Sequence, residues 1–525
     1  MGLICGHSHI TYNMTSSNNF EQEIAAKHTR LVTAFDSGIT KPIEARRQQL
    51  RQLYFAIADN EEALKESLVK DLYRSPIETE ILELHLIYAE IEAAIKNLGK
   101  WAADESIWGD IRVAAARPKL KKSPYGAVLI LGPWNYPLVS TLIPVASAIA
   151  AGNTVLLKPT EMAPNSTELL CSILGKYLNP NVFQSVLGSV PESTYLLSLK
   201  WGKIMVTGSC GVGKIVATAA AKNLTPVVLE LGGKSPVVIT ANADLQVAAK
   251  RIAWGKFINA GQTCIAPDYV LVDSKAAKKF IREFIDATVA MYQNLDKDSR
   301  DFAHIVNSRL WHRMVTLVQN TKGQVVFQHG QPDEGTRFFP PTVVTDVGID
   351  DVLMEEEIFG PILPVIAVDN VVQNASRLIA RNDHPLALYI FTNDETEADR
   401  LIETTRSGAV LINDTVLQGG SVGVPFGGVG SSGTGRYHGK YGFDEFTYER
   451  PVLTQSLALE KFMKARYPPY NFAKLKALRR LGRRNPRFAR EGSLEDSFLK
   501  RVLDSKLFWI ALIFGGKAYA MSAHL

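Results

Sequence analysis

In the stretch KPIEARRQQLRQLYFAIADN, residues 41–60, the apolar positions Leu50, Leu53, Tyr54 and Ile57 recur at i, i+3, i+4 and i+7. That spacing predicts one buried face of a helix, with Pro42 near its start, where a missing N–H costs little. Helical periodicity of this kind covers residues 20–104. From about residue 123 the pattern changes. Short apolar runs, GAVLILG, NTVLLKP, VFQSVLG, KIMVTGS, TPVVLELGG and SPVVIT, alternate with helical stretches. Such alternation predicts an α/β fold, with a parallel sheet covered on both faces. The glycine-rich stretch LQGGSVGVPFGGVGSSGTGRYHGKYGF marks a late change in architecture, and composition changes again from about residue 456. No internal repeat of solenoid length is present.

Length and composition narrow the class. A chain of 525 residues is long enough for two or three domains with sizeable cores. It is 46% hydrophobic and 21% charged, ordinary for a soluble globular protein. The cysteines Cys5, Cys171, Cys210 and Cys264 are widely spaced and form no C-x-x-C pair. This argues against a disulfide framework or a zinc site and suits a reducing, intracellular compartment. The start, MGLICGHSHI, lacks the basic region and apolar core of a secretory signal. It also fails as a myristoylation site, because Gly6 stands where Ser or Thr is needed.

Charge is unevenly spread. Residues 461–490 hold eleven Lys or Arg and no Asp or Glu, and residues 491–525 balance at four of each sign. Against a total of +5, the first 460 residues therefore carry a net charge of −6. A mildly acidic body is joined to a strongly basic tail. Such a run suits nucleic acid, anionic lipid or plain solvation.

Two glycine motifs invite a nucleotide reading. Gly208 to Lys214, GSCGVGK, fits seven positions of a triphosphate loop, but Ile215 stands where a hydroxyl should hold magnesium. The strand-like KIMVTG before it and the helical KIVATAAAKN after it also suit the pyrophosphate of a dinucleotide, held at a helix N-terminus. That reading is favoured if a matching catalytic site exists elsewhere. The second motif, G-x-G-x-x-G at Gly428, Gly430 and Gly433, sits in a run of Gly and Ser far from any first βαβ unit. It reads as a structural loop.

The catalytic site is suggested by three segments. NAGQTCIAPDYV carries Cys264, LELGGKSP carries Glu230, and LGPWNYP carries Asn135. Taken alone, Cys264 suits an inert buried residue and Asn135 a turn former. Glu230 beside a glycine turn is costly to bury without a task or a partner. Together, a thiol nucleophile, a carboxylate base and an amide donor are the parts of covalent chemistry at a carbonyl.

These motifs resemble those of the aldehyde dehydrogenases, and the class 3, fatty-aldehyde branch most. The resemblance runs from about residue 25 to about 455. It is carried in order by PWNYP (133–137), LLKPTEMAP (156–164), TGSCGVG (207–213), LELGGKSP (229–236), NAGQTC (259–264), EEIFGPILPV (356–365) and VPFGGVGSSGTGRYHGKYGFDEFT (424–447). The YHGKYGF element, with His438 and Lys440, is the class 3 feature. The resemblance implies an aldehyde dehydrogenase fold: a Rossmann-type cofactor domain with its N-terminal helices over 20–229, an α/β catalytic domain over 230–418, and a small bridging β-element over 419–455 that also draws on parts of 111–126. Residues 456–525 form the tail.

It implies roles as well. Cys264 is the nucleophile, attacking the aldehyde carbon as thiolate. Asn135 and the Cys264 N–H hold the oxyanion, and Glu230 activates water to release the acid. Lys158 and Glu161 match positions that hold the adenosine ribose. Gly208, Ser209, Gly211, Val212 and Gly213 form the turn near the pyrophosphate, and Glu357 and Phe359 meet the nicotinamide ribose and ring. The implied cofactor is NAD, with NADP possible, since the Glu161 carboxylate would repel a 2′-phosphate. The implied partners are a second copy of the chain and a lipophilic aldehyde: long-chain fatty, isoprenoid or apocarotenoid. A general medium-chain or aromatic aldehyde dehydrogenase is the alternative. No metal or nucleic-acid motif competes. A P-loop NTPase would need the missing hydroxyl, and a silent scaffold would typically have lost Cys264 or Glu230.

The tail adds a location. After the basic run, Leu499, Val502, Leu503, Leu507, Ile510, Ala511 and Phe514 fall on one helical face, and the apolar run Leu507 to Gly516 is too short to span a bilayer, which takes about 17–25 residues. A polybasic segment followed by an amphipathic helix suits attachment to an anionic membrane surface. The expectation is an intracellular enzyme, peripherally bound or C-terminally anchored on the cytoplasmic face. The alternative is a tail helix docked on the enzyme body.

Overall fold

The computed structural model describes residues 17–107 and 116–482. The described residues divide into two compact units, one of residues 17–105 and 120–451 and one of residues 106–107, 116–119 and 452–482.

In the first unit, the helical periodicity before residue 104 becomes the helices Ser17–Asp36, Ile43–Ala58, Glu61–Leu72 and His85–Trp101. Leu50, Leu53 and Ile57 are buried on Ile43–Ala58, and Pro42 caps its start. A π-helical segment, Glu80–Leu84, runs directly into His85–Trp101.

Two sheets follow. The first has six strands in the order Gly433–Thr434, Val227–Leu231, Lys203–Gly208, Ala127–Leu131, Thr154–Lys158, Phe183–Ser185. All pairings are parallel except that of the edge strand Gly433–Thr434. Taking its five parallel strands in chain order, the arrangement is 3-2-1-4-5, the doubly wound Rossmann order. The strand order reverses between Ala127–Leu131 and Lys203–Gly208, so a crevice opens at their carboxyl ends. The second sheet has seven strands in the order Gln324–Gln328, Thr342–Thr345, Ile362–Val368, Tyr269–Asp273, Pro236–Ile239, Ala387–Phe391, Ala409–Ile412. It is parallel apart from the antiparallel Gln324–Gln328. The fold class is thus the expected α/β. Of the six apolar runs read as strands, the last, at Pro236–Ile239, belongs to the second sheet. The chain passes from one sheet to the other within LELGGKSP.

The strands Lys119–Pro124 and Thr447–Val452 lie side by side in a separate small sheet. Lys122 there pairs with Glu449 at 2.6 Å.

In the second unit, the Thr454 N–H donates to the Ala116 carbonyl at 2.7 Å. Short 3-10 turns, Leu457–Phe462 and Lys464–Arg466, lead to the helix Phe472–Gly482. The rest of the basic run and the whole apolar segment after it lie outside the described residues, as do 111–115 of the expected bridging element.

Candidate active site

The crevice at the reversal of strand order is the mouth of a cavity of about 1190 Å³. Loops at the carboxyl ends of four parallel strands supply much of its wall: Leu131 to Asn135, Lys158 to Glu161, Thr207 to Val212, and Glu230 to Lys234. The second half of the chain adds Cys264, Glu357 and Phe359. Every site residue expected from sequence therefore lines this one cavity, except Gly213. An added Cβ at Gly213 would stand 2.6 Å from Leu231 Cδ1. That glycine lets the helix Cys210–Ala221 lie close against its neighbouring strand.

The glycine turn itself forms the start of that helix. Ser209 caps it, its hydroxyl accepting from the Val212 N–H at 3.3 Å. Ile215, at the failed magnesium position, is largely exposed and lines the cavity. The other motif, around residues 428–433, is structural. Gly433 has φ +138 and pairs antiparallel with Glu230, and a Cβ there would run into the Leu229 carbonyl oxygen.

Three chemical groups converge on the cavity. Glu230 is buried, and neither carboxylate oxygen has a hydrogen-bond partner. Burial, with the Glu445 charge adding to it, holds its pKa well above the usual carboxylate range. Cys264 is half-buried and free. Burial, then the Glu357 and Glu230 carboxylates, push its thiol above its ordinary value, so the site by itself favours thiol over thiolate. Asn135 is buried and its side-chain amide donates to the Gln262 carbonyl at 3.1 Å. An amide NH₂ has two hydrogens, so one remains for another acceptor.

The nucleotide end is more polar. Lys158 Nζ pairs with Glu161 at 2.7 Å. Burial works against the Glu161 charge, but the Lys158 ammonium and the residue's own N–H overcome it and lower its pKa. Glu357 is pushed up to about 8, by burial first and then by Asp268, against the pull of the Gly233 N–H, Lys234 and Lys256. Phe359 adopts φ +50 and packs edge-on against Trp134 at 5.3 Å.

Sequence reasoning missed the groups behind these. In the sequence His438 stands only as a motif residue. It is buried at the cavity wall, φ +80, stacked on Phe426, with Nδ1 3.2 Å from the Ser421 carbonyl. Burial, opposed by that bond, lowers its pKa to about 4. Lys440 points elsewhere, in an exposed pair with Asp444. Arg74 lies fully buried beneath the Asn135 loop. No local pattern in DLYRSPIE announces a buried arginine; only its distant partners explain it.

Known proteins share this arrangement. The model of the Aldehyde dehydrogenase family matches residues 9–452. The Mus musculus protein named aldehyde dehydrogenase family 3 member A2 is 41% identical over 446 residues, 85% of this chain and 91% of the relative. The Canis lupus familiaris protein named aldehyde dehydrogenase, dimeric NADP-preferring, is 40% identical over 440 residues, 84% of this chain and 96% of the relative. Among solved structures, the substrate-bound state of Staphylococcus aureus AldH aligns with a TM-score of 0.84 at 37% identity, covering 87% of this chain and 99% of that one. With the doubly wound sheet, the cavity at its switch point and near-full-length relatives in agreement, the chain belongs to the aldehyde dehydrogenase family.

Proposed function

We propose that the chain oxidises a lipophilic aldehyde to its carboxylic acid with NAD(P), through covalent attachment to Cys264. The observation that carries this reading is Glu230: a fully buried, unpartnered carboxylate facing the same cavity as Cys264 and Asn135. Such a group is destabilising unless it has a task.

The residues present fit a dinucleotide. The first N–H groups of a helix have no intrahelical partner; at Cys210–Ala221 Ser209 caps the Val212 N–H, and the helix start lies beside side-chain-free Gly208 and Gly211, which suits a pyrophosphate. Glu161 suits ribose hydroxyls and favours NAD, while its partner Lys158 offsets the repulsion of a 2′-phosphate, so NADP remains acceptable. Glu357 and Phe359 would flank the nicotinamide end; of the proposed catalytic groups, Asn135 and Glu230 come from the first sheet and its loops and Cys264 from the second half of the chain. Bound NAD(P) supplies the acceptor for the two electrons and hydrogen lost by the substrate carbon.

The chain's own groups do the rest. The Cys264 thiol gives up its proton to solvent, which leaves Glu230 free for the later hydrolytic step. The sulfur forms a bond to the aldehyde carbon. The free Asn135 N–H and the Cys264 N–H hold the oxygen that gains charge. After oxidation the sulfur is in a thioester. Glu230 then takes a proton from water, whose oxygen attacks the carbonyl, and the C–S bond breaks to release the acid.

The apolar part of the wall supports a lipophilic aldehyde: Leu82, Val139, Ile265, Leu310, Leu417 and Phe426 all line the cavity. Long-chain fatty, isoprenoid and apocarotenoid aldehydes all suit such a wall. A test is NADH and NADPH absorbance with aldehydes from short chains to C16 and an apocarotenal. Turnover that improves with apolar length is expected; failure to reduce either cofactor with any aldehyde would overturn the reading.

A homodimer is proposed from the relative named dimeric. We also propose that the tail attaches the enzyme to an anionic membrane surface on the cytoplasmic side. Supporting this, Phe472 is 88% exposed at the start of a helix that carries Lys474, Lys476, Arg479 and Arg480. No helix among the described residues is long and apolar enough to cross a membrane.

A further inference from the structure

We propose that Arg74 is a positioning residue that sets the oxyanion amide of Asn135 against the Cys264 turn. The inference rests on the role given above to Asn135.

Arg74 is fully buried and does not line the cavity, so it can act only through its neighbours. Its guanidinium makes three directed contacts. Nη2 donates to the Asn135 carbonyl, Nη1 to Glu83 Oε1, and Nε to Asn259 Oδ1 at 3.1 Å. The plane also lies 4.7 Å from the centre of the Tyr136 ring. Each contact fixes a different piece of the site.

Glu83 anchors the far side of the Asn135 loop. Its Oε2 accepts from the Leu138 and Val139 N–H groups, both at 2.8 Å, at the start of the helix Val139–Ala151. Arg74 and Glu83 together therefore hold Asn135 by its own carbonyl and by the backbone three and four residues on. Asn259 anchors the nucleophile turn. Its Nδ2 donates to the Asn135 carbonyl and to the Gln262 carbonyl, each at 3.0 Å. The Gln262 carbonyl is also the acceptor of the Asn135 side-chain amide. Asn259 and Ala260 are both held at positive φ, 50° and 52°, so this turn does not hold its shape by local preference. Arg74 reaches all three parts.

A stability role alone does not explain this choice. A buried ion pair is often matched or bettered by apolar side chains of similar volume. What apolar groups cannot supply is three directed donors in one plane. Lysine cannot supply them either, having a point charge in place of the fork. Small displacements of reacting groups are costly to rate, so a fork that fixes the Asn135 amide relative to Cys264 acts on the chemical step.

The test is a double-mutant cycle with Arg74→Lys, Asn135→Ala and the pair, read as the first-turnover rate of NADH formation with a soluble short aldehyde. Asn135→Ala alone should slow that step by roughly 10²–10³-fold. Arg74→Lys alone should slow it by roughly tenfold to a hundredfold, with the KM for NAD unchanged. In the Asn135→Ala background, Arg74→Lys should cost less than about twofold more, because the group it positions is gone. An equal loss in both backgrounds, or a folded Arg74→Lys enzyme at the parental rate, overturns the positioning role while leaving Asn135 in place. No loss in Asn135→Ala overturns the oxyanion role, and Arg74's with it. If Arg74→Lys does not fold, Asn259→Gly takes its place in the cycle. It removes the bridge, tolerates the positive φ, and is read by the same criterion.

Discussion

Cys264 and Glu230 are coupled by charge, and the coupling sets what each substitution should do. Cys264→Ala removes the proposed nucleophile and leaves the cofactor wall intact. It should abolish oxidation while NAD still binds, measured by fluorescence titration; turnover retained in that variant would sink the mechanism. Glu230→Gln should differ in kind. A first turnover of NADH should persist while later turnovers slow, seen as a burst in stopped-flow absorbance. The same variant carries a stability prediction. With its folded pKa raised, Glu230 keeps its proton in the fold at a pH where the unfolded chain has lost it. Stability is therefore lost as pH rises from the ordinary carboxylate range through the folded pKa. Glu230→Gln cannot ionise, so its Tm should exceed the parent's near about pH 8 and converge with it near about pH 4. An equal Tm difference at both values would show that ionisation at Glu230 is not the cause.

At the scale of elements, the edge strand Gly433–Thr434 is what holds the Glu230 strand from its open side. Gly433→Ala forces a side chain into the Leu229 carbonyl at a φ that disfavours it. We expect that variant to lose about 1–3 kcal/mol of stability and to fall in kcat with little change in the KM for NAD, measured by denaturant melts and steady-state kinetics. A parental kcat would mean the Glu230 strand keeps its place without this edge. This pairing was not legible in the sequence. The strands themselves were, because apolar runs such as AVLIL and TVLLK are buried on both faces and have no other use. The glycine turn was legible as a strand-to-helix junction, and Cys264, Glu230 and Asn135 through their motifs. What stayed hidden was long-range: that SPVVIT joins a different sheet from TPVVLELGG, that the third glycine of the turn serves packing, and that Arg74 meets partners 61 and 185 residues away. Pattern reports a residue's own environment; it does not report who supplies it.

At the scale of the whole molecule, an acidic body is joined to a basic tail, and the two call for different solvents. Truncation after Pro451 should leave activity on a short aldehyde in solution and reduce activity on a long-chain aldehyde carried in vesicles. Flotation with anionic liposomes checks the cause. The full-length protein should float at low salt and partly at high salt, since screening weakens the charged attraction but not the apolar one. If full-length and truncated forms both stay in the soluble fraction at low salt, the tail is not an anchor.

The strand Gly433–Thr434 has a consequence for synthesis. The strand it covers, Val227–Leu231, leaves the ribosome about two hundred residues earlier. At ordinary elongation rates of about 5–20 residues per second, that edge stands open for roughly ten to forty seconds, with N–H and carbonyl groups free to pair with another chain. A nascent chain thus carries its proposed catalytic base on an unguarded edge until this late strand arrives. Fragments ending shortly before residue 430 are the ones for which aggregation, and dependence on chaperones, should be greatest.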